Sequence, residues 1–200
     1  MNSHITGVDE VGRGSLVGSL VVCAFRSKNE LFEKLPFSVK DSKKITKKNR
    51  ELIYDFFKKN KNKDFNYSIV IGKKREIEDL NIHHAVLLAM KKAIFKLNAL
   101  EDEIIIDGKF TPSDISKYNI RAVIKADDKY PQVSAASIIA KCFRDRLLEK
   151  LHRIEKFYRW DKNAGYATKS HLDAIKIHGV SKFHRRTYQP ITQIINKLST

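Results

Sequence analysis

Acidic residues stand at the ends of three predicted strands, and these residues could carry chemistry. Asp9 and Glu10 end the apolar start of "ITGVDE", Asp107 ends the run "EIIID", and Asp127 comes just after "IRAVIK". A carboxylate at such a position loses hydration, and neighbouring carboxylates repel one another unless cations neutralise them. For each single aspartate, the alternative role is to cap a helix or a turn.

Divalent cations are the usual partners of such carboxylates. Mg2+ and Mn2+ prefer oxygen ligands and are held by a few carboxylates together with substrate phosphate, so their ligands need not be close in sequence. Two such ions about 4 Å apart can activate a water molecule and stabilise the leaving oxygen of a phosphodiester. Three such acids at strand ends therefore favour a divalent-metal site, which could act on a phosphodiester, over three separate caps.

A glycine-rich turn, Gly12-Arg13-Gly14, follows the first two acids. Adjacent residues of a regular strand point to opposite faces, so Asp9 and Glu10 share one site only if the chain bends at Glu10 or if Glu10 offers its backbone carbonyl. The glycines expose backbone groups to a sugar or a phosphate, and Arg13 adds a forked donor. The same composition is also typical of tight turns.

The charge of the chain indicates a polyanionic partner. Its 200 residues include 39 basic and 23 acidic ones, which gives a formal net charge of +16. This excess favours nucleic acid as the partner through attraction and counterion release, although solvated lysine-rich loops are the alternative.

Cys23 and Cys142 lie in apolar segments and are predicted to be buried and free, as in a reducing cytoplasm. No apolar run approaches the length of a membrane span, so we expect a soluble cytoplasmic protein.

Strand and helix patterns alternate along the chain and position these residues. Two β-branched runs at 3–9 and 16–26 flank the glycine-rich turn and predict a hairpin. The other predicted elements are helices over 44–60, 79–97, 132–154, 168–179 and 190–198 and strands over 65–72, 103–107 and 120–125. One face of the helix over 79–97 is predicted to contain Leu80, Val86, Leu87, Met90, Ile94 and Leu97. This order predicts a mixed sheet covered by helices, with its active site at strand ends.

Longer motifs resemble those of bacterial ribonuclease HII, the type 2 ribonuclease H. They include "GVDEVGRGSLVGSLVVCA", "KDSKKITKKNRELIY", "IIIDGKF", "IKADDKYPQVSAASIIAKCFRDRLL" and "WDKNAGYATKSHLDAIKIHGVSKFHRRTY". The resemblance implies an α/β ribonuclease H-like fold, with a mixed, mostly five-stranded sheet flanked by helices. It implies a single catalytic domain over 1–200, whose small helical C-terminal part, about 160–200, contributes to substrate binding.

The resemblance also implies an activity. The family hydrolyses the RNA strand of RNA-DNA hybrids and nicks DNA duplexes on the 5' side of embedded ribonucleotides, for ribonucleotide removal. We expect two Mg2+ or Mn2+ ions, with 5'-phosphate and 3'-hydroxyl ends as products. We expect a monomer that binds hybrids and ribonucleotide-containing duplexes and no membrane; the sequence identifies no protein partner.

Family roles transfer to particular residues of this sequence. The implied metal ligands and catalytic residues are Asp9, Glu10, Asp107 and Asp127. Gly12, Arg13 and Gly14 are implied to recognise the ribose 2'-hydroxyl. Tyr166 in "GYAT" is implied to pack on the following sugar, and Lys43 is implied to lie near phosphate. Further candidates for phosphate contact are Ser134, Ser137 and Arg185. The alternative for the two serines is close packing on the sheet, and the alternative for Arg185 is a solvated basic surface.

Two departures from the family pattern leave alternatives open. "KADD" has Ala126 where the family has glycine and adds a second acid, Asp128, which could replace Asp127 as a ligand. Ala164 stands where a lysine is common in the family.

One competing assignment is ribonuclease HIII, which has an extra N-terminal domain and takes its fourth acid one turn after the third, where this chain has Thr111. Another is a noncatalytic nucleic-acid-binding protein, against which the presence of all four acids argues.

Overall fold

The structure is a computed structural model that describes residues 4–39, 45–61 and 64–198. Five strands and six α-helices form the framework in these ranges. The strands are β1 (Ile5–Val11), β2 (Leu20–Ser27), β3 (Phe65–Gly72), β4 (Glu103–Asp107) and β5 (Asn119–Val123). The helices are α1 (Lys47–Lys59), α2 (Lys74–Leu97), α3 (Pro131–Ile154), α4 (Trp160–Asn163), α5 (Lys169–His178) and α6 (Ile191–Leu198).

The strands form one mixed sheet in the order β3-β2-β1-β4-β5. β1 pairs antiparallel with β2, and β2 with β3, whereas β1, β4 and β5 run parallel. The predicted hairpin is confirmed, although its connection is longer than a tight turn because β2 begins only at Leu20. Ile104, Ile105 and Ile106 of β4 are fully buried, as expected of a central strand covered on both faces.

Helices cover both faces of the sheet. Val22 and Ala24 of β2 pack in one core with α2, whereas Val21 and Phe25, which alternate with them, pack in a second core with α1 and α3. Cys23 lies in this second core, and Cys142 is buried as well; both are free thiols, as predicted. The mixed sheet flanked by helices is therefore confirmed.

One predicted core position on α2 is wrong. Val86, Met90, Ile94 and Leu97 are buried, but Leu80 is 41% exposed. The helix breaks at Asn81, which has φ 64° and ψ 166°. The Asn81 side chain accepts hydrogen bonds from the N–H groups of the next turn and thereby restarts the helix. Leu80 precedes this break, so it does not share the face of the residues that follow.

The C-terminal helices pack on the segment that follows the glycine-rich turn. Leu16 and Val17 share a core with Trp160 of α4, Ile175 of α5 and Ile191 of α6. This packing brings the chain around Tyr166 beside the end of β1. Among the described residues, no helix has the length and apolar character needed to cross a membrane.

Candidate active site

The sheet opens where β1 and β4 end. Their parallel pairing extends from Ile5 and Glu103 to Val8 and Ile106. Asp9 and Asp107 are the next residues of the two strands, so they flank this opening. In open α/β sheets, ligands bind in the crevice outside the carboxyl ends of the strands. The structure thus brings these two acids to the usual place for a functional site.

Asp9 and Glu10 lie on opposite faces of β1. The pairing with β2 stays regular, with Asp9 opposite Cys23 and Glu10 opposite Val22, so the chain does not bend at Glu10. The Asp9 carboxylate lies within hydrogen-bonding reach of the Ser137 hydroxyl on α3. On the other face, Glu10 Oε1 lies 3.5 Å from Nη1 of an exposed arginine, Arg13.

Burial and neighbouring carboxylates raise the pKa of two acids at this opening, Asp9 and Glu10. Burial, followed by the charge of Glu10, raises the pKa of Asp9 well above its ordinary value, and Asp107 adds to the effect. Burial also raises the pKa of Glu10, which Arg13 opposes and Asp107 reinforces. A cation that binds at the opening relieves this charge repulsion.

Asp107 and Asp127 are linked through the backbone. The Asp107 carboxylate accepts a hydrogen bond of 2.8 Å from the N–H of Ala126, which begins the single 3-10 turn Ala126–Asp128. Within this turn Asp127 is buried, whereas Asp128 is exposed. Asp127 is therefore the acid of this pair that is held inside the protein beside Asp107.

The donor set suits a hard divalent cation. Within the described ranges, no three side chains of histidine, cysteine, aspartate or glutamate are arranged as a ready-made metal site. Mg2+ and Mn2+ need no such cage, since they keep several waters and take one or two carboxylates plus substrate phosphates. The interacting carboxylates of buried Asp9 and half-buried Asp107 fit that requirement.

The glycine-rich turn lies against the segment that contains Tyr166. The N–H of Leu16 donates to the carbonyl of Gly165 at 2.8 Å, and the Ser15 hydroxyl lies 3.2 Å from the carbonyl oxygen of Ala164. A Cβ atom on Gly14 would lie 3.7 Å from Cε1 of Tyr166. Tyr166 is 39% exposed. The structure therefore brings Tyr166 and the turn together at the surface; their contact with a substrate stays a prediction.

Two predicted phosphate contacts do not fit the structure. Arg185 is fully buried and donates to backbone carbonyls, so neither a solvated surface nor a direct phosphate contact describes it. Ser134 is also fully buried, and its hydroxyl donates to the carbonyl of Val39, which makes it a packing residue. Ser137 is partly buried beside Asp9, and Lys43 lies outside the described residues.

The sequence interpretation missed Arg144, whose guanidinium also lies in the interior. Its signal is its helical spacing, because it continues the buried positions Ala136 and Ala140 of α3 at intervals of four residues. Burial lowers the pKa of Arg144 to about 10, so the group stays charged at neutral pH. It touches the glycine-rich turn, since a Cβ on Gly12 would come within 2.1 Å of Arg144 Nε.

A second buried network joins His171 and His184, whose Nε2 atoms are 3.1 Å apart. His184 Nδ1 accepts from the N–H of Ser181, so its proton is on Nε2 and points to His171 Nε2. Trp160 Nε1 donates to the same atom, and His171 Nδ1 lies 2.9 Å from the Tyr166 carbonyl oxygen, to which it donates. Both rings are neutral in this arrangement, which anchors the backbone of Tyr166.

Comparison with known proteins decides the family. The family model described as Ribonuclease HII matches residues 6–191. The chain belongs to the ribonuclease HII family. It is 46% identical over 191 residues to the ribonuclease HII of Pelagibacter ubique, covering 96% of this chain and 98% of that one. Family members are metal-dependent ribonuclease H endonucleases, so this chain is a nuclease that acts on RNA-DNA hybrids.

Solved structures agree with this assignment. The ribonuclease H2 of Pyrococcus horikoshii is 26% identical, with a TM-score of 0.74 over 98% of this chain and 99% of that chain. Bst-RNase HIII in complex with Mn2+ is 18% identical, with a TM-score of 0.72 over 98% of this chain and 70% of that chain, and shares the fold. The family membership confirms the resemblance found in the sequence motifs.

Proposed function

We propose that this ribonuclease H also nicks DNA duplexes on the 5' side of an embedded ribonucleotide and leaves 5'-phosphate and 3'-hydroxyl ends. We further propose that Asp9, Glu10, Asp107 and Asp127 hold two divalent ions, Mg2+ or Mn2+. One observation carries the proposal: the interacting carboxylates of buried Asp9 and half-buried Asp107 lie at the opening of the sheet, and β1 leads directly into a glycine-rich turn whose Arg13 and Gly14 are exposed.

The protein's part in the reaction is to hold the carboxylates in place. Ser137 hydrogen-bonds to Asp9 on one side of the opening, and the N–H of Ala126 orients Asp107 on the other. When bound, the ions supply neutralisation of these charges and of the scissile phosphate, and activation of the attacking water. The Mn2+ complex of Bst-RNase HIII, which shares this fold, supports a divalent ion in this role. Because β1 stays regular at Glu10, we assign the contribution of Glu10 to its backbone carbonyl.

Recognition of the ribose is assigned to the turn. The carbonyl of Arg13 accepts hydrogen bonds from buried Arg185 and from Tyr188. Because the two groups of a trans peptide point in opposite directions, the N–H of Gly14 is directed away from those donors. No hydrogen bond within the described residues uses this N–H. It is therefore available to the 2'-hydroxyl, the group that distinguishes RNA from DNA.

Other contacts extend this assignment to the nucleic acid around the ribonucleotide. We assign to the ring of Tyr166, which lies beside Gly14, the packing on the next sugar. We assign a phosphate contact to Lys43, since the Ser137 hydroxyl already donates to Asp9, and we assign binding of the duplex backbone to the basic surface of a chain with net charge +16. Backbone contacts of this kind carry no sequence preference.

A panel of labelled duplexes tests the proposal. The panel contains an RNA-DNA hybrid, a DNA duplex with one ribonucleotide and the same duplex without it, each incubated with Mg2+, with Mn2+ and with EDTA. We expect cleavage of the first two in either metal and a single nick 5' to the ribonucleotide. Cleavage of the hybrid alone would refute the nicking activity, and cleavage in EDTA would refute the metal mechanism.

A further inference from the structure

Two buried arginines beneath the glycine-rich turn have no catalytic role in the account above. Arg185 is fully buried and Arg144 is 1% exposed. In the part of the chain that the structure describes, neither forms an ion pair with a carboxylate within 4 Å. A buried charge is costly unless it is hydrogen-bonded, and both guanidinium groups donate mainly to backbone carbonyls of the loop that follows β1.

Arg185 holds the loop from Arg13 to Gly18. Its Nε donates to the carbonyl of Gly18 at 2.9 Å, and its Nη1 donates to the carbonyl of Arg13 at 3.0 Å. Its backbone N–H donates to the carbonyl of Leu16 at 2.7 Å. The Tyr188 hydroxyl, 3.1 Å from Arg185 Nη1, donates to the same Arg13 carbonyl at 2.8 Å. Two donors thus fix the orientation of one peptide bond, that between Arg13 and Gly14.

Arg144 holds the other end of the loop and connects it to the segment before Tyr166. It donates to the carbonyls of Ser19, Val17 and Ala164 at 3.1, 3.3 and 3.1 Å. A forked, five-donor guanidinium can bond three carbonyls at once, which a lysine ammonium on a flexible stem does not reproduce in the same geometry. The turn and the Tyr166 segment therefore share one support.

We propose that Arg185, Tyr188 and Arg144 are positioning residues that set the preference of the turn for a ribonucleotide over a deoxyribonucleotide. The inference rests on the proposed function of the turn. Arg13 stands between two glycines, so the backbone on either side of it rotates easily unless its carbonyl is held. Without the two donors to that carbonyl, the Gly14 N–H would lose its outward direction and the turn would lose its 2'-hydroxyl donor.

Binding in EDTA to two duplexes that differ by a single 2'-hydroxyl tests the proposal. Fluorescence anisotropy gives a dissociation constant for each duplex, and their ratio does not depend on how much of the protein is folded. We expect Tyr188→Phe, which removes one donor to the Arg13 carbonyl, to lower the preference about fivefold, and Arg185→Met to lower it about tenfold or more. Arg186→Met, at the neighbouring exposed arginine, is the matched control and should change both constants by the same factor.

The outcomes separate this inference from the proposed function. A wild-type protein that neither prefers nor cleaves the ribonucleotide duplex would overturn the proposed function itself. A wild-type preference that survives intact in Tyr188→Phe would overturn the positioning role, even if Arg185→Met does not fold. A loss of the same size in Arg186→Met would also overturn it, because general charge would then explain the effect.

Discussion

Acidification should weaken the fold through His184, which is buried against a second histidine. Burial, followed by the charge of His171, lowers the pKa of His184 from its ordinary value of 6.5 to about 4. The unfolded chain therefore takes up this proton at a higher pH than the folded chain does. The stability contributed by neutral His184 is fully present above pH 6.5 and is lost as the pH falls towards 4.

The size of this loss follows from the two pKa values. Each pH unit between them changes the free energy of unfolding by about 1.4 kcal/mol. At pH 5 the protein should have lost about 2 kcal/mol through His184, and below pH 4 about 3 kcal/mol. The raised pKa values of Asp9 and Glu10 act in the opposite direction, so the effect has to be isolated by comparison with a matched variant.

His184→Gln is that variant. A glutamine side chain can accept from the Ser181 N–H and donate to His171, but it does not titrate. We expect the variant to be about 2 kcal/mol less stable than wild type at pH 8, because the buried ring packing is lost. This gap should close by about 2 kcal/mol at pH 5. Urea unfolding followed by far-UV circular dichroism at pH 8, 7, 6 and 5 measures it.

His178→Gln is the control, since this histidine is exposed on α5. It should follow the wild-type pH dependence. A gap between wild type and His184→Gln that stays constant from pH 8 to 5 would refute the neutral, buried state of His184. A gap that widens as the pH falls would show that protonated His184 stabilises the fold, which is the opposite of the predicted sign.

Three further predictions concern the site. In EDTA, Asp9→Asn should raise the melting temperature, because it removes a buried charge that its neighbours repel. Added Mg2+ should then raise the melting temperature of wild type but not that of the variant. An unchanged or lower melting temperature of the variant in EDTA would contradict this prediction. Gly12→Ala should lower the free energy of unfolding in urea by about 3 kcal/mol, because Gly12 has φ +90° and the buried Arg144 guanidinium occupies the space of an added Cβ. Gly14→Ala should be as stable as wild type. Equal losses of stability in the two variants would contradict this prediction. Asp127→Asn should lower the single-turnover cleavage rate about a hundredfold or more, and Asp128→Asn should lower it less than about threefold. The reverse order would make Asp128 the ligand.

Much of the fold follows from patterns that the sequence displays directly. The continuous apolar run of β4 and the alternation in β3 lead to the observed strands, since burial on both faces or on one face fixes those patterns. The acids at strand ends were identified because a carboxylate after an apolar run is unusual. Their convergence followed from topology: parallel β1 and β4 bring Asp9 and Asp107 to one edge.

The rest depends on long-range contacts that a linear pattern does not encode. Arg185 stands beside Arg186 and His184, a composition typical of a basic surface, yet it lies in the interior because loop carbonyls from far along the chain surround it. The break at Asn81 depends on side-chain capping inside what otherwise has the periodicity of one helix. Tyr166 was assigned through its motif, because neither its spacing nor its type separates a surface contact from a core residue.

Metal-dependent cleavage beside a ribose is expected to depend on the carboxylates at the β1 and β4 opening. Single-turnover cleavage of a duplex with one ribonucleotide, by Asp9→Asn and by wild type in Mn2+, tests it most directly. Binding of the same duplex in EDTA confirms that the variant still engages its substrate. We predict retained binding with cleavage lowered about a thousandfold, since the variant removes a central charge of the site. Cleavage by Asp9→Asn at the wild-type rate would contradict the account.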